Sequence, residues 1–301
     1  HHSLLHLRYS VALAAAEQLA ETLYDTDERY LHYMLAGVLA QNLVPDVVRS
    51  RKALRRGLAL QPDREEAFER LRLSYGTTSS TSVEDARALA ELIKDRLRRT
   101  DLSEARIVGL RVELGQLYAG PLQNRAHAKY ELGEALRLQP NQAAALYCLG
   151  KLHADDGEWQ HAIDPLRRYA QIEKRPTQIL AVQLLLGEIF SEQIHDPQQA
   201  IAAYTKVVQI QPTNQTALTK LAALFERLAI DVLLETDVKA GAKLLGLSWD
   251  EAHGIKARAV ERGLQRRGKE RPKSLGVDEK AIGHGHQYAT VLTDLERKCV
   301  L

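Results

Sequence analysis

LRLQP at residues 136–140 and VQIQP at 208–212 are two copies of one phrase, and a third copy, LALQP, stands at 58–62. Residues at fixed steps lead into each. Ala128, Leu132, Ala135 and Pro140 are separated by four, three and five positions, and Ala200, Tyr204, Val207 and Pro212 repeat those steps. Ser50, Leu54, Gly57 and Pro62 keep the same spacing, while Ala162, Leu166 and Tyr169 keep the four and three but reach Pro176 after seven. Steps of four and three put side chains on one face of a helix. A second pattern lies upstream of each phrase: Leu114-Gly115 with Tyr118, Leu149-Gly150 with His153, Leu186-Gly187 with Phe190, and Ala36-Gly37 with Ala40. The small residue after the leucine lets a neighbouring helix approach closely. The unit is therefore a pair, helix A then helix B. Each proline is expected to end helix B, because the residue before a proline avoids helical backbone.

Composition agrees with helices. Aromatic residues are only 5% of the 301, too few for a strand-rich chain, whereas apolar residues at 45% suffice for a sizeable core. No run of about 18 uncharged apolar residues is present, so no transmembrane helix is expected. The opening stretch is broken by Arg8, Ser10 and Glu17 and does not read as a signal peptide. Two cysteines far apart, Cys148 and Cys299, suit a reducing, cytoplasmic location better than a disulfide framework. Met34 is the single methionine and the sequence stops abruptly at KCVL, so it is expected to be cut at both ends.

The repeat resembles the tetratricopeptide repeat (TPR), a 34-residue helical pair with small residues at these points and a terminal proline. The resemblance runs from about residue 28 to about 225 and is clearest over 105–212; TTSSTS at 77–82 interrupts the earlier part. Leu146 stands where the family has a tryptophan in its first helix. The resemblance implies a superhelical scaffold over 1–224, holding a peptide or protein partner in its concave groove, with no catalysis. After Pro212, Leu221, Ala222 and Phe225 are placed for another helix A, but no matching helix B follows.

From 225 the text changes. Phe225–Glu235, Asp237–Leu245 and Trp249 to Leu264 read as three helices, with Thr236 or Asp237 capping the second, Gly246 in the turn and Ser248 capping the third. Ala242, Gly246, Ala252 and Ile255 follow the spacing of a helix-turn-helix over 225–268. Between Lys256 and Lys273 stand eight basic residues against Glu261 and Glu270, a window of +6 in a chain of net charge +2, so the rest is mildly acidic. Such a stripe suits duplex DNA through 237–273, with salt-dependent binding. Candidate contacts are Ser248, Trp249, Lys256, Arg258, Arg262, Arg266, Arg267 and Lys269. Past RPKS the period alternates, and Leu275–Asp278, Gln287–Thr293 and Lys298–Leu301 read as short strands.

Residues 225–301 resemble a bacterial insertion-sequence transposase of the ISL-three family. The matching phrases are Leu244–Asp250, Gly276–Glu279, Gly285-His286 with Tyr288 and Thr290, and Asp294-Leu295. The resemblance implies that 274–301 begins an incomplete ribonuclease-H-like core and that Asp278 is the first acid of a DDE triad. In a complete core Asp278 would be a metal ligand and Mg2+ the cofactor; no cofactor is expected for this chain, and transposase activity is not. On its own, Asp278 reads as a strand-end or turn carboxylate. His284 and His286 read as turn residues, Cys148 as a small packed residue, His153 as core, and Trp249 as a packing anchor. Three short strands carry little core, so 275–301 is expected to be frayed, with weak amide protection at Val277 and Val291.

The expected fold is thus mainly α: an α-α superhelix, a helix-turn-helix and a truncated ribonuclease-H-like β-meander. Two functions compete. One is an interaction scaffold joined to a transposase-derived fragment. The other is a functional part of a DDE transposase whose repeats recruit a partner.

Overall fold

A computed structural model describes residues 2–76, 82–266, 275–283, 287–294 and 299–300. Side-chain oxygens set many of the helix starts. Asp25, Asp46, Ser82, Ser103, Asn124 and Asp196 each accept the backbone N–H three residues on, which satisfies an orphan donor of the first turn. The helices are α1 (His2–Thr22), α2 (Thr26–Asn42), α3 (Val47–Leu60), α4 (Glu65–Ser74), α5 (Val83–Leu97), α6 (Glu104–Ala119) and α7 (Arg125–Leu138). They continue as α8 (Ala143–Asp155), α9 (Trp159–Ile172), α10 (Pro176–Glu188) with a π-helical turn Ile189–Ile194, α11 (Pro197–Ile210), α12 (Gln215–Glu235), α13 (Val238–Leu245) and α14 (Trp249–Arg266). The chain divides into two compact units, His1–Leu218 and Thr219–Leu301.

In the first unit each helix packs mainly on its neighbours in sequence. Four pairs are joined by the same device: a glycine on helix A receives a large side chain of helix B. A Cβ on Gly37 would lie 2.6 Å from Leu54 Cδ2, on Gly115 2.7 Å from Leu132 Cγ, on Gly150 2.7 Å from Leu166 Cγ, and on Gly187 2.6 Å from Tyr204 Cε1. Leu54, Leu132, Leu166 and Tyr204 are fully or almost fully buried as a result, and each apolar side chain so buried contributes about 2 kcal/mol. The buried Ser50 hydroxyl donates to Gly37 O at 2.9 Å, so its polar atom is satisfied.

The spacing of these pairs differs by one residue, for a visible reason. Glycine and knob are seventeen positions apart in three pairs and sixteen in Gly150–Leu166. Between α8 and α9 the N-cap amide of Glu158 donates five residues back, to His153 O at 2.8 Å. In the other connections the cap amide reaches six back: Asp46 to Ala40 O, Asn124 to Tyr118 O and Asp196 to Phe190 O, at 2.7, 2.7 and 2.8 Å. The extra residue widens the end of helix A, and Ile189–Ile194 is the π-helical form of that widening. Gln123, Gly157 and His195, each just before a cap, take φ of 48°, 74° and 58°.

Helices α3, α7 and α11 end two residues before Pro62, Pro140 and Pro212, with Gln61, Gln139 and Gln211 leaving the helix at φ near −130°. Pro176 behaves differently from the sequence expectation. Helix α9 has already ended at Ile172, and Pro176 is the first residue of α10. A proline is tolerated there because that N–H has no intrahelical partner. The pair α4–α5 also departs from the pattern, since neither helix contains a glycine notch.

The second unit contains α12 from Thr219, α13, α14 and three strands. Helix α12 runs unbroken through Phe225, where the sequence reading begins a new helix. Ala229, Leu233, Ala242, Ala252 and Ile255 form the buried cluster among α12, α13 and α14. Strand β1 (Leu275–Gly283) pairs antiparallel with β2 (Gln287–Asp294) from Leu275↔Asp294 to Gly283↔Gln287, with an irregularity between Ala281 and Gly283. Strand β2 pairs with β3 (Cys299–Val300), in the order β1-β2-β3. Strand β1 continues past Asp278, beyond the expected end. Residues 284–286, 295–298 and 301, including His284 and His286, lie outside the described residues.

Candidate functional site

The notch glycines define a common register for the A helices. Two residues before, six before and one after a notch lie on one helical face, turned away from the helix B that fills the notch. Six before stand Leu31, Gly109, Ala144 and Ala181; two before, Leu35, Glu113, Cys148 and Leu185; one after, Val38, Gln116, Lys151 and Glu188. None of the first and last sets is fully buried, and Leu31, Gly109, Lys151, Ala181 and Glu188 are exposed. Gln116 Nε2 lies 3.8 Å from Cys148 Sγ, which joins this face of α6 to that of α8. Burial pushes the Cys148 thiol up from its ordinary value, against a smaller opposing effect of the Gln116 contact, so Cys148 is a protonated, half-buried lining residue. Lys151 and Glu188 have no ion-pair partner among the described residues. Along α6, α8 and α10 this face carries Gly109, Ala144 and Ala181 at one register position and Gln116, Lys151 and Glu188 at another. The sequence reading missed these residues. The signal was available: the position after each notch glycine changes chemistry from repeat to repeat, while the notch itself does not.

His153, expected in the core, is half-buried at the end of α8. Its Nδ1 lies 2.5 Å from Glu158 Oε2 and its ring stacks on His161 at 5.5 Å. The position lies in the last turn of α8, so it meets the Glu158 carboxylate at the start of α9 rather than a core.

In the second unit Asp237 caps α13 through Lys239 N and Ala240 N, both at 2.9 Å, while Thr236 Oγ1 donates back to Val232 O at 2.7 Å. Gly246 takes φ 67°, which a Cβ would resist. The closest approach is at Gly241, where a Cβ would lie 2.7 Å from Leu233 Cδ2, rather than at Ala242. Ser248 starts α14 in a reciprocal cap: Glu251 N donates to Ser248 Oγ at 3.2 Å, and Ser248 N and Oγ both donate to Glu251 Oε2 at 2.8 Å. Those bonds hold the Glu251 carboxyl below its usual range. The Ser248 hydroxyl is therefore committed to the helix start.

Trp249, expected as a packing anchor, is 54% exposed and stacks on His253 at 4.7 Å with rings 7° from parallel. It lies at the first turn of α14, and among the described residues its ring is supported by His253 of its own helix. Arg258 and Arg262 both face Glu226 of α12, at 3.4 and 3.3 Å. Lys256 is half-buried on the same helix. Arg266 ends α14, with its side chain outside the described residues, as are Arg267 and Lys269. Asp278 stands on β1 opposite Val291 in the backbone register. Among the described residues no group of three His, Cys, Asp or Glu could hold a metal ion, and one carboxylate cannot hold two.

The crystal structure of the C-terminal part of a TPR repeat-containing protein from Cytophaga hutchinsonii is similar, with TM-score 0.51 at 13% identity over 73% of this chain and 98% of that one. A tetratricopeptide repeat protein from Parabacteroides merdae is similar with TM-score 0.46 at 13% identity over 78% and 88%. YrrB, described as a TPR protein with an unusual peptide-binding site, is similar with TM-score 0.46 at 17% identity over 67% and 95%. No protein-family model matches the chain, and no curated protein matches it in sequence. The likeness to the Cytophaga structure shows a helical-repeat fold of the TPR kind. No helix among the described residues is long and apolar enough to cross a membrane.

Proposed function

We propose that the first unit is a cytoplasmic interaction scaffold that holds an extended peptide or a protein segment along α6, α8 and α10. The observation that supports it is the shared register: the small residues Gly109, Ala144 and Ala181 recur at one position of it, and Gln116, Lys151 and Glu188 at another. Small side chains let a partner's backbone come close, and polar residues around an interface supply specificity. A displayed random-peptide library, panned on the full chain, tests it. Selected peptides are expected to lose at least tenfold in affinity on Ala144→Arg, with the melting curve unchanged. Unchanged affinity overturns the reading.

The second unit favours a further reading, a DNA-binding fragment related to insertion-sequence transposases. Three features support it: the packed α12–α13–α14 cluster, the left-handed Gly246 between α13 and α14, and the basic residues Lys256, Arg258, Arg262 and Arg266 along α14. Lys256, Arg258 and Arg262 are its phosphate contacts. Trp249 stands at the exposed N-terminal turn, where a recognition helix meets base edges. Ser248 serves by fixing that turn. An antiparallel three-strand order is common to many sheets, so the ribonuclease-H-like origin of β1–β3 rests on the sequence phrases, as does the boundary near 224. Duplex binding measured against salt tests the reading: affinity should fall linearly in log salt. No binding at low salt overturns it.

A further inference from the structure

A cleft of about 410 Å³ opens between α3, α4 and α5. Phe68 and Leu71 form its floor and are fully buried beneath it, while Leu58 and Ala59 of α3 face Ala88 and Leu92 of α5 across it. It lies at the one pair without a glycine notch. Elsewhere a knob closes the gap between paired helices; here α4 is ten residues long and the flanking helices stay apart. The volume is in the range of small-molecule pockets, about 300–1,000 Å³.

The rim charges decide what would fit. Arg96 is held by Glu65 and Asp101 at 3.0 and 2.9 Å, and Arg99 by Asp63 at 2.6 Å. Glu91 is paired with Lys94 at 2.9 Å and Asp95 with Arg98 at 2.6 Å. Arg51, over the Tyr75 ring at 4.3 Å, is held by Asp85 at 2.6 Å. Arg55 is different. Its guanidinium donates to the Tyr75 hydroxyl, and among the described residues no carboxylate pairs with it. The cleft therefore has an apolar floor and one uncompensated positive charge at its edge.

We propose that this cleft binds a medium-chain fatty acid, with the carboxylate on Arg55 and the chain over Phe68 and Leu71. A planar guanidinium matches a carboxylate with two parallel hydrogen bonds, and the floor removes the chain from water. The site is separate from the face of α6, α8 and α10.

Calorimetric titration of the full chain with decanoate and with decanol tests this. Decanoate is expected to bind, decanol at least tenfold more weakly. Arg55→Gln should weaken decanoate at least tenfold, and Ala59→Phe, which fills the cleft from an exposed position, should abolish it. Melting curves of both variants should match the wild type. Failure of decanoate to bind, equal binding of decanol, or unchanged binding by Arg55→Gln overturns the proposal, as does binding of a peptide ending in leucine carboxylate in place of decanoate. The decanoate–decanol comparison decides the matter on the wild type alone should either variant fail to fold.

Discussion

Replacing Gly150 with alanine puts the notch under direct stress. The added Cβ would lie 2.7 Å from Leu166 Cγ, 2.9 Å from Leu166 Cδ2 and 3.2 Å from Leu166 N. The last contact is backbone, so a rotation of the leucine does not relieve it. Overpacking of this kind costs about 1–3 kcal/mol. Against it, alanine gains about 1 kcal/mol over glycine in a helix interior. The balance is a loss of up to about 2 kcal/mol, a fall in melting temperature of up to about 8 °C for a unit of this size. Gly133, in the partner helix of another pair, is the control. A Cβ there meets nothing within 4 Å, so Gly133→Ala should gain about 0.5–1 kcal/mol. Thermal melts followed by circular dichroism compare the two. Opposite signs are required; a Gly150→Ala protein melting at or above the wild type refutes the notch.

His195 sits at φ 58° before the cap of α11, where a side chain costs about 1 kcal/mol. His195→Gly should therefore raise the melting temperature by a few degrees in the same assay. Glu173 accepts from Arg175 Nη2 and Tyr169 Oη, both at 2.8 Å, and from two backbone amides. Its carboxyl is held far below the usual range, chiefly by Arg175, and Tyr169 is pushed up to about 12 by burial and by Glu173. The carboxylate's contribution is thus present above the ordinary glutamate range and lost as pH falls below it. The tyrosine's contribution is present below the ordinary tyrosine value and lost as pH rises through about 12. Glu173→Gln should flatten the acid side of the stability profile and shift one tyrosine to lower pH in an ultraviolet titration; an unmoved titration contradicts the pairing. Glu226→Gln removes the carboxylate facing Arg258 and Arg262, so duplex affinity and its salt slope should both rise in a filter-binding measurement; no change means those arginines do not touch phosphate.

The notch was legible because glycine and knob sit at steps that no other element reproduces. Gly115 with Leu132 and Gly187 with Tyr204 could be paired from the sequence alone. Pro176 misled because the same residue both follows one helix and opens another, and only the backbone at Glu173 separates the two. The widened turns were hidden because Gln123 and His195 carry side chains where glycine would have signalled a left-handed residue. The cleft at α4–α5 left no motif; it arises from a missing glycine, and an absence has no periodicity. On α14, charge identified Arg258 and Arg262, but the carboxylate that faces them comes from Glu226, one helix and a turn away.

The packing of the first unit rests most heavily on the four notch contacts. Nuclear Overhauser measurements on the full chain can observe each one, between the glycine Hα protons and the facing side chain. Four sets of cross-peaks are predicted: Gly37 with Leu54, Gly115 with Leu132, Gly150 with Leu166 and Gly187 with Tyr204. A folded chain in which these glycines show contacts only within their own helices would contradict it.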